Sequence, residues 1–262
     1  MREVTVLGSI AHRIGKTWRI IATGLCFSIF GIGALCLTFI VFPLVTWSVK
    51  DRTKRELKVQ KVIQRSFDMF SKLMRFSGAI DYQIVGADSL QKDENCLIVA
   101  NHPSLIDYVL IGSCLPQCDC IVKAAIWQNP FIKGIVKAAG YIPNVNPESL
   151  LEACSTRLND GNVLLIFPEG TRTTPGLDPY LQRGAAQIAV RSQADLRLIH
   201  IKVEPSFLTK QAKWYQVPDT KPFFHVEVQE KINIDQFIRD GQSPTAAARQ
   251  LNRHLADVLF PN

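Results

Sequence analysis

Apolar residues fall into three regimes along the chain. Ile20 to Trp47 is a run of 28 residues without a charge. Residues 52 to 76 then place Val59, Val62, Ile63, Phe67, Phe70, Leu73 and Met74 at three- and four-residue spacing, the stripe of an amphipathic helix. From residue 77 onward, short apolar runs alternate with segments of helical period. The pattern predicts strands at Ile80–Val85, Leu97–Ala100, Cys118–Lys123, Val163–Phe167, Leu196–Val203 and Phe223–Val228. It predicts helices after Asn101 to about Cys114, at Phe131–Ala139, from Asn146, at Gly184–Ser192 and at Thr245–Leu259. Asn146-Pro147-Glu148 starts a helix well: an N-cap amide, a proline in the first position and a carboxylate for the dipole. The expected fold is α/β, a mostly parallel central sheet flanked by helices. The expected organisation is membrane-anchoring helices over 1–49, a basic amphipathic helix over 50–76 and an α/β domain over 77–262.

The uncharged run is too long for a signal-peptide core. As one straight helix it would measure about 42 Å, against a hydrocarbon core of about 30 Å. Gly31-Ile32-Gly33 and Pro43 are natural break points, and basic residues flank the run on both sides. A single pass would leave one basic flank outside, against the positive-inside tendency. Two short helices dipping into one leaflet are therefore expected, with one tilted span as the alternative.

Charge sharpens this picture. The net charge is +7. Between Lys50 and Arg75 there are nine basic residues against three acidic ones, so most of the excess is local. Next to an uncharged segment, such a patch suits anionic lipid headgroups rather than nucleic acid. The seven cysteines form no Cys-x-x-Cys pair with a nearby histidine, so reduced thiols are expected and no metal site. There is no internal repeat and no nucleotide-binding glycine motif.

Candidate chemistry lies at two strand ends. Asn101-His102-Pro103-Ser104-Leu105-Ile106-Asp107 follows the Leu97 run. A neutral imidazole there can take a proton from a hydroxyl, and a carboxylate behind it fixes the tautomer. The structural alternative is a capping box, Ser104 with Asp107 three residues on. Ser104 reads as a cap, because its surroundings lack the Gly-x-Ser-x-Gly elbow of hydrolases. The second stretch, Phe167-Pro168-Glu169-Gly170-Thr171-Arg172, follows the Val163 run. Alone it also fits a plain strand-to-loop turn.

The two stretches together, in this order and about 60 residues apart, resemble the lysophospholipid acyltransferases, the family of 1-acylglycerol-3-phosphate acyltransferase. The resemblance covers roughly residues 75 to 230. It implies that His102 is a general base with Asp107 as its partner. It implies that Ser104, Lys123, Glu169, Gly170, Thr171 and Arg172 contribute to substrate binding. It further implies an acyl thioester on coenzyme A or acyl carrier protein as cosubstrate, no bound cofactor or metal, and a place at the cytosolic face of the inner membrane. Helix N-termini near His102 are expected to offer oxyanion donors. One departure bears on the acceptor. Many members carry an arginine where this chain has Asn146, so the identity of the lysolipid is less constrained than the donor chemistry.

Overall fold

The computed structural model describes residues 2–129 and 132–260. Its N-terminal part is a helical hairpin. Helix α1 (Arg2–Cys36) continues through one π-helical turn, Leu37–Val41, into α2 (Phe42–Ser48). After a short turn, α3 (Arg52–Phe76) runs back along it, capped by Asp51, whose side chain accepts from the Lys54 N–H at 2.8 Å. Trp18 donates to the Ser77 carbonyl at one end of the hairpin, and the Phe30 and Phe70 rings meet tilted by 44° with centroids 4.5 Å apart. Phe42 and Val45 share a buried cluster with Val59 and Ile63 towards the other end.

The break expected at Gly31–Gly33 does not form. Glycine weakens a helix interior by only about 1 kcal/mol per residue, and both glycines face open space. The irregularity sits instead at the π turn just before Pro43. Proline lacks an N–H for the carbonyl four residues earlier and crowds it, and the wider turn relieves that conflict. Arg13–Ser48 is one helix long and apolar enough to cross a membrane. The stripe on α3 is turned inward: Val59, Ile63, Phe70 and Met74 are buried against protein.

Among the described residues the sheet has seven strands, in the order β1-β7-β6-β2-β5-β3-β4. They are β1 (Asp81–Val85), β2 (Cys96–Ala100), β3 (Asp119–Lys123), β4 (Ile142–Asn144), β5 (Val163–Ile166), β6 (Asp195–Glu204) and β7 (Phe223–Ile232). All neighbours pair in parallel except β6 with β7. This is the α/β architecture expected from the alternating pattern. Strand β2 is buried along its whole length. Cys96, Ile98 and Ala100 point into a cluster shared with the N-terminal hairpin, and Leu97 and Val99 into one on the opposite face. Burial on both sides is why this strand reads as a continuous apolar run.

The helices that follow the hairpin are α4 (Ala87–Leu90), α5 (Asp107–Cys114), α6 (Ala124–Gln128), α7 (Lys133–Ala138), α8 (Pro147–Asn159), α9 (Gly184–Ser192) and α10 (Pro244–Leu259). Helix α7 accounts for the helix expected from Phe131, a residue outside those described. Asn146 does cap α8, accepting from the Glu148 N–H at 2.9 Å. A buried ionic network ties the hairpin to the sheet: Arg157 of α8 donates to Asp119 of β3 at 2.7 and 2.8 Å and to Glu56 of α3 at 2.7 Å.

Candidate active site

Strands β2, β5, β3 and β6 run in parallel, so their C-terminal ends share one sheet edge, where ligands of open α/β sheets bind. His102 lies two residues beyond β2 and Glu169 three beyond β5; Lys123 ends β3.

His102 and Asp107 meet. Nδ1 of His102 is 3.0 Å from Oδ2 of Asp107. A carboxylate oxygen only accepts, so Nδ1 carries the proton and Nε2 is left with a lone pair. The imidazole stacks on Phe167, with centroids 4.2 Å apart and planes 22° apart. That contact fixes the ring orientation, and the His102 side chain retains 18% exposure. Asp107 is fully buried. Burial pushes its carboxyl up to about 6, against the opposing effects of His102 and the Ser104 N–H.

The capping-box alternative and the dyad are not exclusive. The Oδ2 atom that faces His102 also accepts from the Ser104 N–H at 2.6 Å. Only this half of the box forms: the Ser104 hydroxyl is buried with no hydrogen-bond partner among the described residues, as is Oδ1 of Asp107.

The second stretch closes over the first. The carboxylate of Glu169 is buried and accepts from the His102 N–H at 2.7 Å and from the Thr173 hydroxyl at 2.9 Å. The Thr173 N–H in turn donates to the His102 carbonyl at 2.7 Å. Gly170 makes this turn with φ of +68°, and a Cβ there would lie 2.5 Å from the Gln182 amide, so the position favours glycine. Thr171 is half-buried beside it. Arg172 places Nη1 at 2.9 Å from the carbonyl oxygens of both Leu208 and Thr209. Half of its fork is therefore committed to the loop after β6. Lys123 is exposed at the end of β3 and makes no hydrogen bond or ion pair with the dyad.

The N–H groups expected to serve as oxyanion donors are largely spent. Those of His102 and Ser104 go to Glu169 and Asp107, and that of Leu105 goes to the Leu208 carbonyl at 3.0 Å. Three contributors are new from the structure. Phe167 is the stacking partner of His102. Asn101 pins the loop by exchanging hydrogen bonds with the Ile201 backbone at 2.8 and 2.7 Å. Leu208 holds both Leu105 and Arg172 from a left-handed conformation, φ +55°. Asn101 and Phe167 each open one of the two motif stretches, whereas the β6-loop contacts carry no local signal.

Comparison with known proteins bears on the fold and the family. A family model described as Acyltransferase matches residues 81–205. A 1-acyl-sn-glycerol-3-phosphate acyltransferase of Helicobacter pylori is 30% identical over 158 residues, which is 57% of this chain and 62% of that protein. One of Bacillus subtilis is 30% identical over 120 residues, 44% of this chain and 59% of that protein. The matches thus span about three-fifths of these relatives' lengths. The crystal structure of the 1-acyl-sn-glycerophosphate acyltransferase PlsC of Thermotoga maritima superposes with a TM-score of 0.65 at 19% identity, covering 93% of this chain and 100% of that one. It shows the shared fold. The family model and the named relatives thus make residues 81–205 similar to acyltransferase domains, among them those of 1-acyl-sn-glycerol-3-phosphate acyltransferases.

Proposed function

We propose that the protein is a membrane-bound O-acyltransferase that moves a fatty acyl group from an acyl thioester to the hydroxyl of 1-acyl-sn-glycerol-3-phosphate, giving phosphatidic acid. The observation that carries this reading is the His102–Asp107 contact at 3.0 Å. The dyad brings a base and its orienting carboxylate to the sheet edge, and among the described residues no hydroxyl or thiol is hydrogen-bonded to the imidazole, so the attacking hydroxyl is assigned to the substrate. The names of the relatives supply the acceptor.

The acceptor hydroxyl donates its proton to Nε2 of His102 as its oxygen attacks the thioester carbonyl. Asp107 stabilises the imidazolium that forms. The tetrahedral intermediate then collapses: the carbon–sulfur bond breaks, and the thiolate leaves as the free thiol after taking the proton from the imidazolium. Glu169 keeps the His102 backbone in place. The free edge of the Arg172 guanidinium meets the acceptor phosphate. Lys123, Gly170 and Thr171 border the acceptor's approach, and Ser104, wholly buried, steadies Asp107 through its N–H. The thioester is carried by coenzyme A or acyl carrier protein, and no metal takes part. The helix Arg13–Ser48 holds the domain at the cytosolic face of the inner membrane, with the exposed lysines and arginines of α3 near anionic headgroups.

A second reading concerns the acceptor alone. Asn146 caps α8 where many family members carry an arginine, and Arg172 has half its fork engaged. Fewer cations are therefore available for a phosphate monoester, which favours a less charged lysolipid. One experiment decides both questions. Purified protein is given an acyl thioester with a panel of lysolipids, with and without a terminal phosphate, and thiol release is followed. Acceptor-dependent release with preference for the phosphate monoester supports the main reading. Preference for uncharged acceptors supports the second, and release without acceptor overturns both in favour of hydrolysis.

A further inference from the structure

The loop from Leu208 to Val217 connects the site to α1. At one end the Leu208 carbonyl holds Leu105 and Arg172 of the site. Six residues on, the Trp214 indole lies against α1 at Gly24, so closely that a Cβ on Gly24 would be 3.0 Å from its ring. Further along, Lys16 and Arg19 of α1 bind Asp219 and the backbone beside it.

The face of α1 next to Trp214 is apolar and open. Ile14, Trp18, Ile21, Leu25, Ile29, Ile32 and Leu35 are exposed along it at helical spacing. Gly24 stands beside Ile21 and Leu25 on the helix surface, so Trp214 widens this line rather than facing away from it. Trp214 and Tyr215 are 47% and 44% exposed, large values for aromatic side chains. Their rings meet edge to face at 5.6 Å, and the Lys213 ammonium sits 5.7 Å from the Tyr215 centroid. Lys210 is exposed in the same loop. Amphipathic aromatics beside lysines are what the headgroup layer of an anionic bilayer accommodates.

We propose that the 208–217 loop is a second membrane-contacting element. Trp214 and Tyr215 seat at headgroup level beside α1, with Lys210 and Lys213 on anionic lipid, and so hold the mouth of the His102 site against the bilayer. A lysolipid acceptor would then reach His102 from the membrane plane. This last consequence rests on the transferase reading; the lipid contact does not.

The test uses the full chain in vesicles of phosphatidylcholine with and without phosphatidylglycerol, some carrying brominated acyl chains. Trp214 is read as the fluorescence difference between the wild type and Trp214→Phe, a variant that keeps a ring against Gly24. Expected are a blue shift and quenching of the Trp214 signal in the anionic vesicles. Lys210→Glu/Lys213→Glu should weaken the quenching by about fivefold or more, the factor one basic residue near an anionic surface supplies. A Trp214 signal that is neither shifted nor quenched overturns the proposal, whatever the catalytic activity. For transfer, Trp214→Ala/Tyr215→Ala should lower kcat/KM on vesicle-embedded acceptor and leave the rate on a monomeric short-chain acceptor unchanged. An equal loss on both would also overturn it, by showing a general structural role.

Discussion

The backbone N–H of His102 donates to Oε1 of Glu169 at 2.7 Å, across 67 residues of sequence. The two stretches that carry the resemblance are thus one structure, in which the second holds the backbone of the first. A carboxylate used this way is buried and acceptor-only. Glu169→Ala should leave the His102 N–H unpaired and cost about 1–3 kcal/mol of stability, measured by thermal unfolding. Glu169→Gln retains an acceptor oxygen and should keep most of the rate. A severe loss of kcat/KM in the Gln variant with unchanged melting would instead make the charge itself a substrate contact.

His102→Ala should remove about 10²–10⁴-fold of the rate, the usual worth of a general base. The folded state should persist, because the imidazole is partly exposed. Asp107→Asn should approach the same loss by freeing the tautomer. A loss below tenfold in single-turnover kinetics for His102→Ala counts against the role.

Asp107 makes activity and stability respond to pH in opposite directions. Its carboxyl is raised from the ordinary 3.8 to about 6 by burial. The folded chain then holds this proton more tightly than the unfolded one, so its contribution to stability is full below 3.8 and lost as pH rises through about 6. The dyad needs the ionised carboxylate, so the rate should climb over the upper part of the same interval. A pH series of kcat/KM alongside chemical unfolding checks both slopes. Asp107→Asn should flatten this group's share of each.

Arg157 should matter for stability without touching the chemistry. It neutralises two acids, Asp119 and Glu56, of which Asp119 is wholly buried. Burial raises the Asp119 carboxyl even against the Arg157 guanidinium. Removing one partner of a buried ion pair costs about 3–5 kcal/mol. Arg157→Ala should lower the unfolding free energy by about that much, read from denaturant titration.

The exposed face of α1 can be tested without disturbing its packed face. Ile21, Leu25 and Ile32 are each about half exposed or more. Ile21→Lys/Leu25→Lys/Ile32→Lys should shift the protein to the high-salt soluble fraction, since each lysine costs about 2.5–3.5 kcal/mol at a membrane helix centre. Retention in the pellet of washed membranes would place the anchor elsewhere.

Much of this architecture is legible in the residues. Strands such as β2 and β5 are buried on both faces and so appear as unbroken apolar runs; α8 declares its start through Asn146, whereas the cap of α3 by Asp51 came from the structure. Strand β4 was not legible: Ile142-Pro143-Asn144 is three residues at a sheet edge, where proline is tolerated. The expected hairpin break at Gly31 gave too much weight to two glycines whose cost is small beside a continuous hydrogen-bonded helix. In the site, the five-residue spacing of His102 and Asp107 was enough to suggest their meeting. That one oxygen of Asp107 would serve both His102 and Ser104 was not, because it depends on the loop's curvature. Nor could the sequence reveal that Arg172 spends half its fork on carbonyls 36 and 37 residues away.

The pairing of β1 has a bearing on how the protein is made. Among the described residues, Asp81–Val85 finds its one strand partner at Phe223–Glu227. A ribosome must therefore deliver most of the chain before this edge of the domain can close. The N-terminal helix emerges long before that, with the segment that would cover β1 not yet synthesised. Non-local pairing of this kind is slow to form and exposed to aggregation while it waits. Early capture of the nascent apolar helix at a membrane would keep its greasy face out of water during that interval.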